Sequence, residues 1–126
     1  MLNFDKKILI IDDVENDRKI LVSVLTKHGY ECLTAENGES AIELLAREHV
    51  DLVITDLVMP TKNGIDLIME LKQSSPELKI IAMSGGGGIN GRFDYLPIAK
   101  LIGAENILRK PFKREELCTA ITVLVS

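Results

Sequence analysis

Residues 8–13 read Ile8-Leu9-Ile10-Ile11-Asp12-Asp13, a short run of branched apolar side chains that ends in two carboxylates. A continuous apolar run of this length is typical of a strand in a parallel sheet that is covered on both faces. The same pattern recurs three times, because Asp56, Ser84 and Lys110 each directly follow a short apolar run. Ligands of open α/β sheets bind beyond the carboxyl ends of the strands. We therefore expect these polar groups to converge at one edge of a sheet.

Hydrophobic periodicity along the rest of the chain predicts five βα units. The spacing predicts strands at 7–11, 31–35, 51–55, 79–83 and 106–109 and helices at 15–28, 38–48, 64–74, 94–102 and 113–124. The first helix is expected to pack on the sheet through one apolar face, which carries Ile20, Leu21, Val24 and Leu25. Right-handed crossovers between such units give an α/β fold with a doubly wound, five-stranded parallel sheet.

Size and composition bound the class of protein. A chain of 126 residues falls in the commonest range for one domain, so we expect residues 1–126 to form a single domain. A net charge of −4 without a long basic stripe argues against nucleic-acid binding by this chain alone, and favours proteins as partners. The sequence shows neither a membrane span nor a signal peptide, and the two cysteines lack metal-type spacing. We expect a cytoplasmic protein.

The grouped carboxylates indicate the kind of reaction that the site supports. Asp12, Asp13 and Asp56 would repel one another at one edge of a sheet unless a cation neutralised them. Oxygen ligands without neighbouring His or Cys favour a hard ion, and Mg²⁺ fits best because it uses few carboxylates and bridges to phosphate. Asp56 would then attack a phosphoryl group, with the Lys110 ammonium as counter-charge and one hydrogen bond from Ser84. For the Asp12-Asp13 pair alone, capping of the first helix is an equally good interpretation.

Taken together, these residues resemble the receiver (response-regulator) domain of two-component signalling over essentially the whole chain. The resemblance rests on an ordered set of short motifs: Ile10-Ile11-Asp12-Asp13, Ile54-Thr55-Asp56-Leu57-Val58-Met59-Pro60 with Gly64, Met83-Ser84-Gly85, Gly103-Ala104 and Lys110-Pro111-Phe112. It implies a flavodoxin-like (βα)5 fold with strand order 2-1-3-4-5, which periodicity alone does not give. We expect a stand-alone receiver without an output domain in this chain, since no output module follows Val125-Ser126.

By that resemblance, Asp56 is the phosphoacceptor, and Mg²⁺ is the cofactor. Asp13 and Asp56 would bind the ion directly together with the backbone carbonyl of Val58, while Asp12 would act mainly through a metal-bound water. Ser84 and Lys110 would contact the phosphate.

The partners that the resemblance implies are a histidine kinase or a histidine phosphotransfer protein as donor, and a downstream protein that the sequence does not identify. Pairing of two copies through the fourth and fifth elements, as in many receivers, is left open. A docking surface for the donor near the site entrance would include Val14, Arg18 and Phe112.

Two features depart from the family pattern. Ile107 stands three positions before Lys110, where many receivers have an aromatic residue, so a relay through an aromatic rotamer is in doubt. Residues 85–88 are four consecutive glycines in a long connection, which we expect to be mobile rather than to bind a nucleotide, because no Gly-Lys-Ser/Thr ending follows.

Other functions remain open at this level. An aspartyl-phosphate phosphatase of the haloacid-dehalogenase type would use the same groups, although Val58 occupies the place of its usual second aspartate. A flavin mononucleotide binder is poorly supported by an aromatic content of 4%. An unphosphorylated protein-binding module and the receiver of a longer regulator are the remaining alternatives.

Overall fold

The computed structural model describes residues 6–59, 63–85 and 95–125. Strands and helices alternate along the chain, as the periodicity predicts. The elements are β1 (Lys7–Ile11), α1 (Glu15–Lys27), β2 (Glu31–Ala35), α2 (Gly38–Leu45), β3 (Leu52–Asp56), α3 (Gly64–Ser74), β4 (Lys79–Ser84), α4 (Leu96–Leu101), β5 (Asn106–Arg109) and α5 (Arg114–Val125).

The five strands form one sheet in the order β2-β1-β3-β4-β5, and every neighbouring pair is parallel. The predicted doubly wound sheet and the strand order 2-1-3-4-5 are therefore confirmed. β1 and β3 are neighbours in this order although they are not consecutive in sequence, so the topological switch lies between them.

The register of the strands brings their polar ends to a common edge. Ile11 is paired with Thr55, so that Asp12 follows β1 where Asp56 ends β3. Asp56 is paired with Met83, one residue before Ser84, and Ser84 is paired with Arg109, one residue before Lys110. Each polar residue thus stands at most one position from the next along this edge.

Side chains of alternating strand residues form a core on each face of the sheet. Leu9, Ile11 and Val53 pack on one face with apolar residues of α2, α3 and α4. Ile8 and Ile10 pack on the other face with residues of α1 and α5. The central apolar runs are fully buried, which contributes roughly 1.5–3 kcal/mol for each large side chain. The rigid edge that carries the polar residues depends on this two-sided burial.

The observed elements differ from the predicted ones mainly at their ends. α2 ends at Leu45 rather than near residue 48, because the polar side chains of residues 47–49 are exposed and offer no apolar face to the sheet. Asp56 and Ser84 are the last residues of β3 and β4, rather than the first residues after them. Ile20, predicted to pack on the sheet, is 54% exposed.

The glycine-rich segment predicted to be mobile, residues 85–91, lies outside the described residues except for Gly85. Within the described ranges, none of the helices combines the length and apolar character that a membrane span needs.

Gly64 begins α3 directly against the backbone of the β3 end. A Cβ atom at this position would lie 2.5 Å from the Asp56 carbonyl oxygen and 2.6 Å from the Leu57 Cα. Both contacts are with backbone atoms, which cannot rotate away. The close approach of α3 to the end of β3 therefore requires glycine.

We expect Gly64→Ala to lower the free energy of unfolding by about 1–3 kcal/mol, because the added methyl group forces α3 away from β3. Gly85→Ala is the matched control, since a Cβ atom there would meet no atom of the described residues within 4 Å. Urea unfolding of both variants checks this expectation. Equal stabilities of the two variants would show that α3 tolerates a side chain at Gly64.

Candidate functional site

Asp56 is a buried carboxylate at the centre of the polar edge, with only 8% of the residue exposed. Its Oδ1 accepts a hydrogen bond of 2.8 Å from the Leu57 backbone N–H. Burial is the largest influence on the pKa of this carboxyl and raises it; the Lys110 ammonium lowers it, Asp12 raises it, and the backbone N–H groups of Val58 and Leu57 lower it. The net pKa lies above the ordinary value.

Lys110 supplies the positive charge of the site. Its Nζ lies 3.1 Å from Asp12 Oδ2, 3.4 Å from Asp17 Oδ2 and 3.6 Å from Asp56 Oδ2. Burial lowers the pKa of Lys110, but the carboxylates of Asp56, Asp12 and Asp17 raise it, and the net pKa lies above the ordinary value. The side chain is therefore an ammonium at neutral pH and is shared among three carboxylates.

The backbone fixes where this ammonium starts. The Lys110 N–H donates a hydrogen bond of 2.7 Å to the Ser84 carbonyl, which extends the pairing of β4 and β5 by one residue. The Lys110-Pro111 peptide bond is cis. Lys110 is thus anchored at the sheet edge beside Ser84.

Asp12, Asp13 and Asp56 form a cluster in which one carboxylate oxygen from each lies within 4.8 Å of the others. Asp12 is fully buried, whereas Asp13 is exposed. Oxygen donors at this spacing, with one carboxylate open to solvent, fit a hard cation that keeps several of its waters, as Mg²⁺ does. The residues predicted to bind Mg²⁺ through side chains therefore lie together; the role of the Val58 carbonyl stays a prediction.

Helix capping does not account for the Asp12-Asp13 pair. The N-cap residue of α1 is Val14, which has no side-chain oxygen to donate to. Asp12 instead accepts a hydrogen bond of 3.0 Å from the Val14 N–H through Oδ1 and faces Lys110 through Oδ2. The Asp12 carboxylate therefore binds the Val14 N–H and Lys110 and does not cap the first turn of α1.

Ser84 carries a hydroxyl group that is fully buried and has no hydrogen-bond partner among the described residues. Buried polar groups are rarely left unpaired, because each costs free energy comparable to a lost hydrogen bond. The structure places this hydroxyl on the last residue of β4, between the strands that carry Asp56 and Lys110. An anion bound at this edge would supply the missing acceptor.

Two residues of α1 join the site that the sequence motifs did not single out for this role. Asp17 contacts Lys110, and Arg18 donates a hydrogen bond of 2.7 Å from its guanidinium to the Asp12 carbonyl. Asp17 precedes Leu21, a buried residue of the predicted inner face, by four positions. Helical spacing therefore carried the signal that Asp17 faces the sheet edge.

The other residues that the sequence singled out differ in exposure and packing. Val14, Ile20 and Val58 are exposed, with Val58 at 59%. Phe112 packs in part against the α1 and α5 side of the core. Ile107, at the position that is often aromatic, is partly buried and packs against the opposite core.

Comparison with known proteins gives one consistent picture. A family profile described as the response regulator receiver domain matches residues 8–122. The chain is 38% identical to a probable transcriptional regulator, ycf27, of Porphyra purpurea over 117 residues, which cover 93% of this chain and 46% of that protein. This chain thus spans just under half the length of that relative.

Two further matches extend over nearly whole proteins. Sporulation initiation phosphotransferase F of Bacillus subtilis is 32% identical over 117 residues, which cover 93% of this chain and 91% of that protein. The crystal structure of the response regulator TrrA from Thermotoga maritima, in complex with Mg²⁺ and BeF, is 32% identical and superimposes with a TM-score of 0.83. That match covers 94% of this chain and 98% of the other.

The raised pKa of Asp56 predicts how the free energy of unfolding depends on pH. A folded-state pKa above the unfolded value means that ionised Asp56 opposes folding, and that the penalty disappears as the folded carboxyl takes up its proton. Without metal, we expect Asp56→Asn to raise the free energy of unfolding by about 1 kcal/mol at pH 7. The gain should shrink to zero as the pH falls below about 4, the ordinary range of an Asp carboxyl.

Asp51→Asn is a control with the opposite sign. Burial raises the pKa of Asp51. The Lys7 N–H and His49 together lower the pKa by more than burial raises it, so the net pKa lies below the ordinary value. We expect this variant to be less stable than the parent at pH 7 and equal to it at low pH. Urea unfolding with EDTA across this range measures both. A loss of stability in Asp56→Asn at pH 7 would show that ionised Asp56 does not oppose folding.

Proposed function

This chain belongs to the family of response regulator receiver domains, and we propose that it accepts a phosphoryl group on Asp56 and thereby changes its contacts with other proteins. Members of this family are signalling phosphoacceptors rather than classical enzymes. One observation carries the proposal: the buried Asp56 carboxylate lies 3.6 Å from an ammonium and beside two further carboxylates at the carboxyl edge of the sheet. This membership also argues against the haloacid-dehalogenase and flavin alternatives.

The proposed reaction is transfer from a phosphohistidine. A carboxylate oxygen of Asp56 attacks the phosphorus atom, and the bond between phosphorus and the imidazole nitrogen of the donor breaks. The bonding electron pair goes to that nitrogen, which takes up a proton from solvent as the histidine leaves. The product is an aspartyl phosphate, and the donor returns to a neutral imidazole.

Lys110 and Ser84 are proposed to hold the transferred group. The ammonium of Lys110 already lies near Asp56 and can pair with a phosphoryl oxygen as charge accumulates there. The buried Ser84 hydroxyl, which lacks a partner among the described residues, can donate one hydrogen bond to another oxygen. Both groups start from the sheet edge, so neither requires a large backbone movement to reach Asp56.

The proposed cofactor is Mg²⁺. Asp13 and Asp56 would hold it directly, with the Val58 carbonyl, and Asp12 would act mainly through a bound water. When bound, the ion neutralises the crowded carboxylates and the charge on the phosphoryl oxygens. The printed description of the TrrA structure, a complex with Mg²⁺ and BeF, supports this proposal by similarity.

The proposed phosphoryl donor is a histidine kinase or a histidine phosphotransfer protein. An open pocket beside the site is lined by Asp17, Ile20, Leu21, Gly85, Lys110, Pro111 and Phe112. Its apolar walls and the exposed Val14 nearby suit a protein surface that presents a phosphohistidine. Lys110 lines this pocket and its Nζ lies 3.6 Å from Asp56 Oδ2, so we propose that the donor docks on α1 and the segment after β5.

We further propose that the 126 residues act as one receiver unit in the cytoplasm, where the free thiols of Cys32 and Cys118 would stay reduced. The downstream partner is proposed to be a protein that distinguishes the phosphorylated from the unphosphorylated form. A homodimer formed on phosphorylation would be one way to make that distinction.

Phosphorylation is tested by intact mass after incubation with Mg²⁺ and acetyl phosphate. We expect a gain of about 80 Da, the mass of one phosphoryl group, that requires Mg²⁺ and is lost in Asp56→Asn. Asp66→Asn, which alters an exposed aspartate on α3, is the control and should be labelled like the parent. If neither acetyl phosphate nor a phosphohistidine donor added mass, the alternative of an unphosphorylated binding module would be favoured.

Metal binding should be visible as stabilisation. A ligand that binds only the folded state stabilises it by about 2.7 kcal/mol at 100 times its Kd. We expect Mg²⁺ to raise the Tm of the parent protein and of Asp51→Asn, and to raise that of Asp13→Asn much less at the same concentration. Differential scanning calorimetry measures the three shifts. An equal rise in all three would place the ion elsewhere.

A further inference from the structure

Among the described residues that pair with Lys110, Asp17 is the one that the proposed phosphoryl and metal chemistry does not require. It lies in the first turn of α1, and its side chain is 39% exposed, whereas Asp12 and Asp56 are buried. Its Oδ2 is nevertheless 3.4 Å from Lys110 Nζ, slightly closer than Asp56 Oδ2 at 3.6 Å. The ammonium is therefore drawn towards α1 as well as towards the proposed acceptor.

Phosphorylation changes the balance of charge around this ammonium. Asp56 brings one negative charge before transfer, and a phosphoryl group carries about −1.5 to −2. Lys110 would have to turn towards the new charge, and Asp17 would lose its counter-ion. The Asp17 carboxylate would also stay close to the added negative charge, which costs free energy. Both effects act in the same direction, against the phosphorylated state.

We infer that Asp17 is a positioning residue that competes with the acceptor site for Lys110 and so weakens the hold of the site on a phosphoryl group. The inference rests on the proposed function. In the unphosphorylated protein, Asp17 keeps the ammonium shared between α1 and Asp56. In the phosphorylated protein, Asp17 would lose its ion pair with Lys110.

A simpler role for Asp17 is to stabilise α1, because an acidic side chain in the first turn interacts favourably with the helix dipole. Glu15 lies in the same first turn, but within the described ranges its ion pair is with Lys19 on the surface, at 3.0 Å, and not with Lys110. Removing either charge should cost α1 a similar amount of stability. The two roles therefore separate when Asp17→Asn and Glu15→Gln are compared in a property of the site.

The property to measure is the affinity for beryllofluoride, which binds a receiver carboxylate without covalent transfer. Isothermal titration calorimetry with saturating Mg²⁺, fixed for each variant by a separate Mg²⁺ titration, gives the Kd. We expect Asp17→Asn to bind beryllofluoride about two- to fivefold more tightly than the parent, the range that a partly exposed ion pair supplies. Glu15→Gln should bind like the parent while its Tm falls as much as that of Asp17→Asn.

The conservative variant Asp17→Glu keeps a carboxylate near Lys110 and should restore the affinity of the parent. Unchanged or weaker binding in Asp17→Asn, or equal tightening in Glu15→Gln or Asp17→Glu, would overturn the inference and leave the proposed function intact. Failure of the parent protein to bind beryllofluoride in a manner that Asp56→Asn abolishes would overturn both.

Discussion

The balance between one ammonium and the carboxylates that crowd around it is the constraint on which the rest of the site depends. Lys110 lies within 3.6 Å of Asp12, Asp17 and Asp56, two of which are buried. Carboxylates brought this close repel one another, and burial adds to the cost of their charge. The Lys110 ammonium only partly offsets that cost, since the net pKa of Asp56 stays above its ordinary value. The excess of negative charge at this edge supports the proposed binding of a divalent cation, which would in turn favour the proposed transfer of a phosphoryl group.

The sheet holds the repelling carboxylates and the Lys110 ammonium in fixed positions. Parallel pairing of β1, β3, β4 and β5 aligns the strand ends, and apolar side chains buried on both faces hold the alignment. Gly64 lets α3 approach the backbone of Asp56 to a distance that no other residue permits. The polar groups therefore cannot relax apart without disturbing the core. The repulsion between carboxylates at the carboxyl edge destabilises the fold, and the apolar side chains buried on both faces of the sheet offset this cost.

Much of the fold followed from sequence because its signals are local and repeated. Continuous apolar runs predicted the strands, and the polar residue after each run predicted Asp12, Asp56, Ser84 and Lys110 as one edge. The strand order came from family resemblance, since periodicity does not specify which strands are neighbours. The end of α2 was placed too late because helical periodicity fades there without a stop signal. Asp17 was missed because the motifs stop at Asp13, whereas the signal for Asp17 is its helical spacing of four residues from the buried Leu21.

Chemical trapping can show whether the proposed mixed anhydride forms on the carboxylate of Asp56. Borohydride reduces an aspartyl phosphate to homoserine, which peptide mass mapping locates in the chain. After incubation with Mg²⁺ and acetyl phosphate, we expect homoserine at position 56 and at no other position. Homoserine at Asp12 or Asp13, or phosphate retained on a histidine, would contradict it and assign the crowded carboxylates a different task.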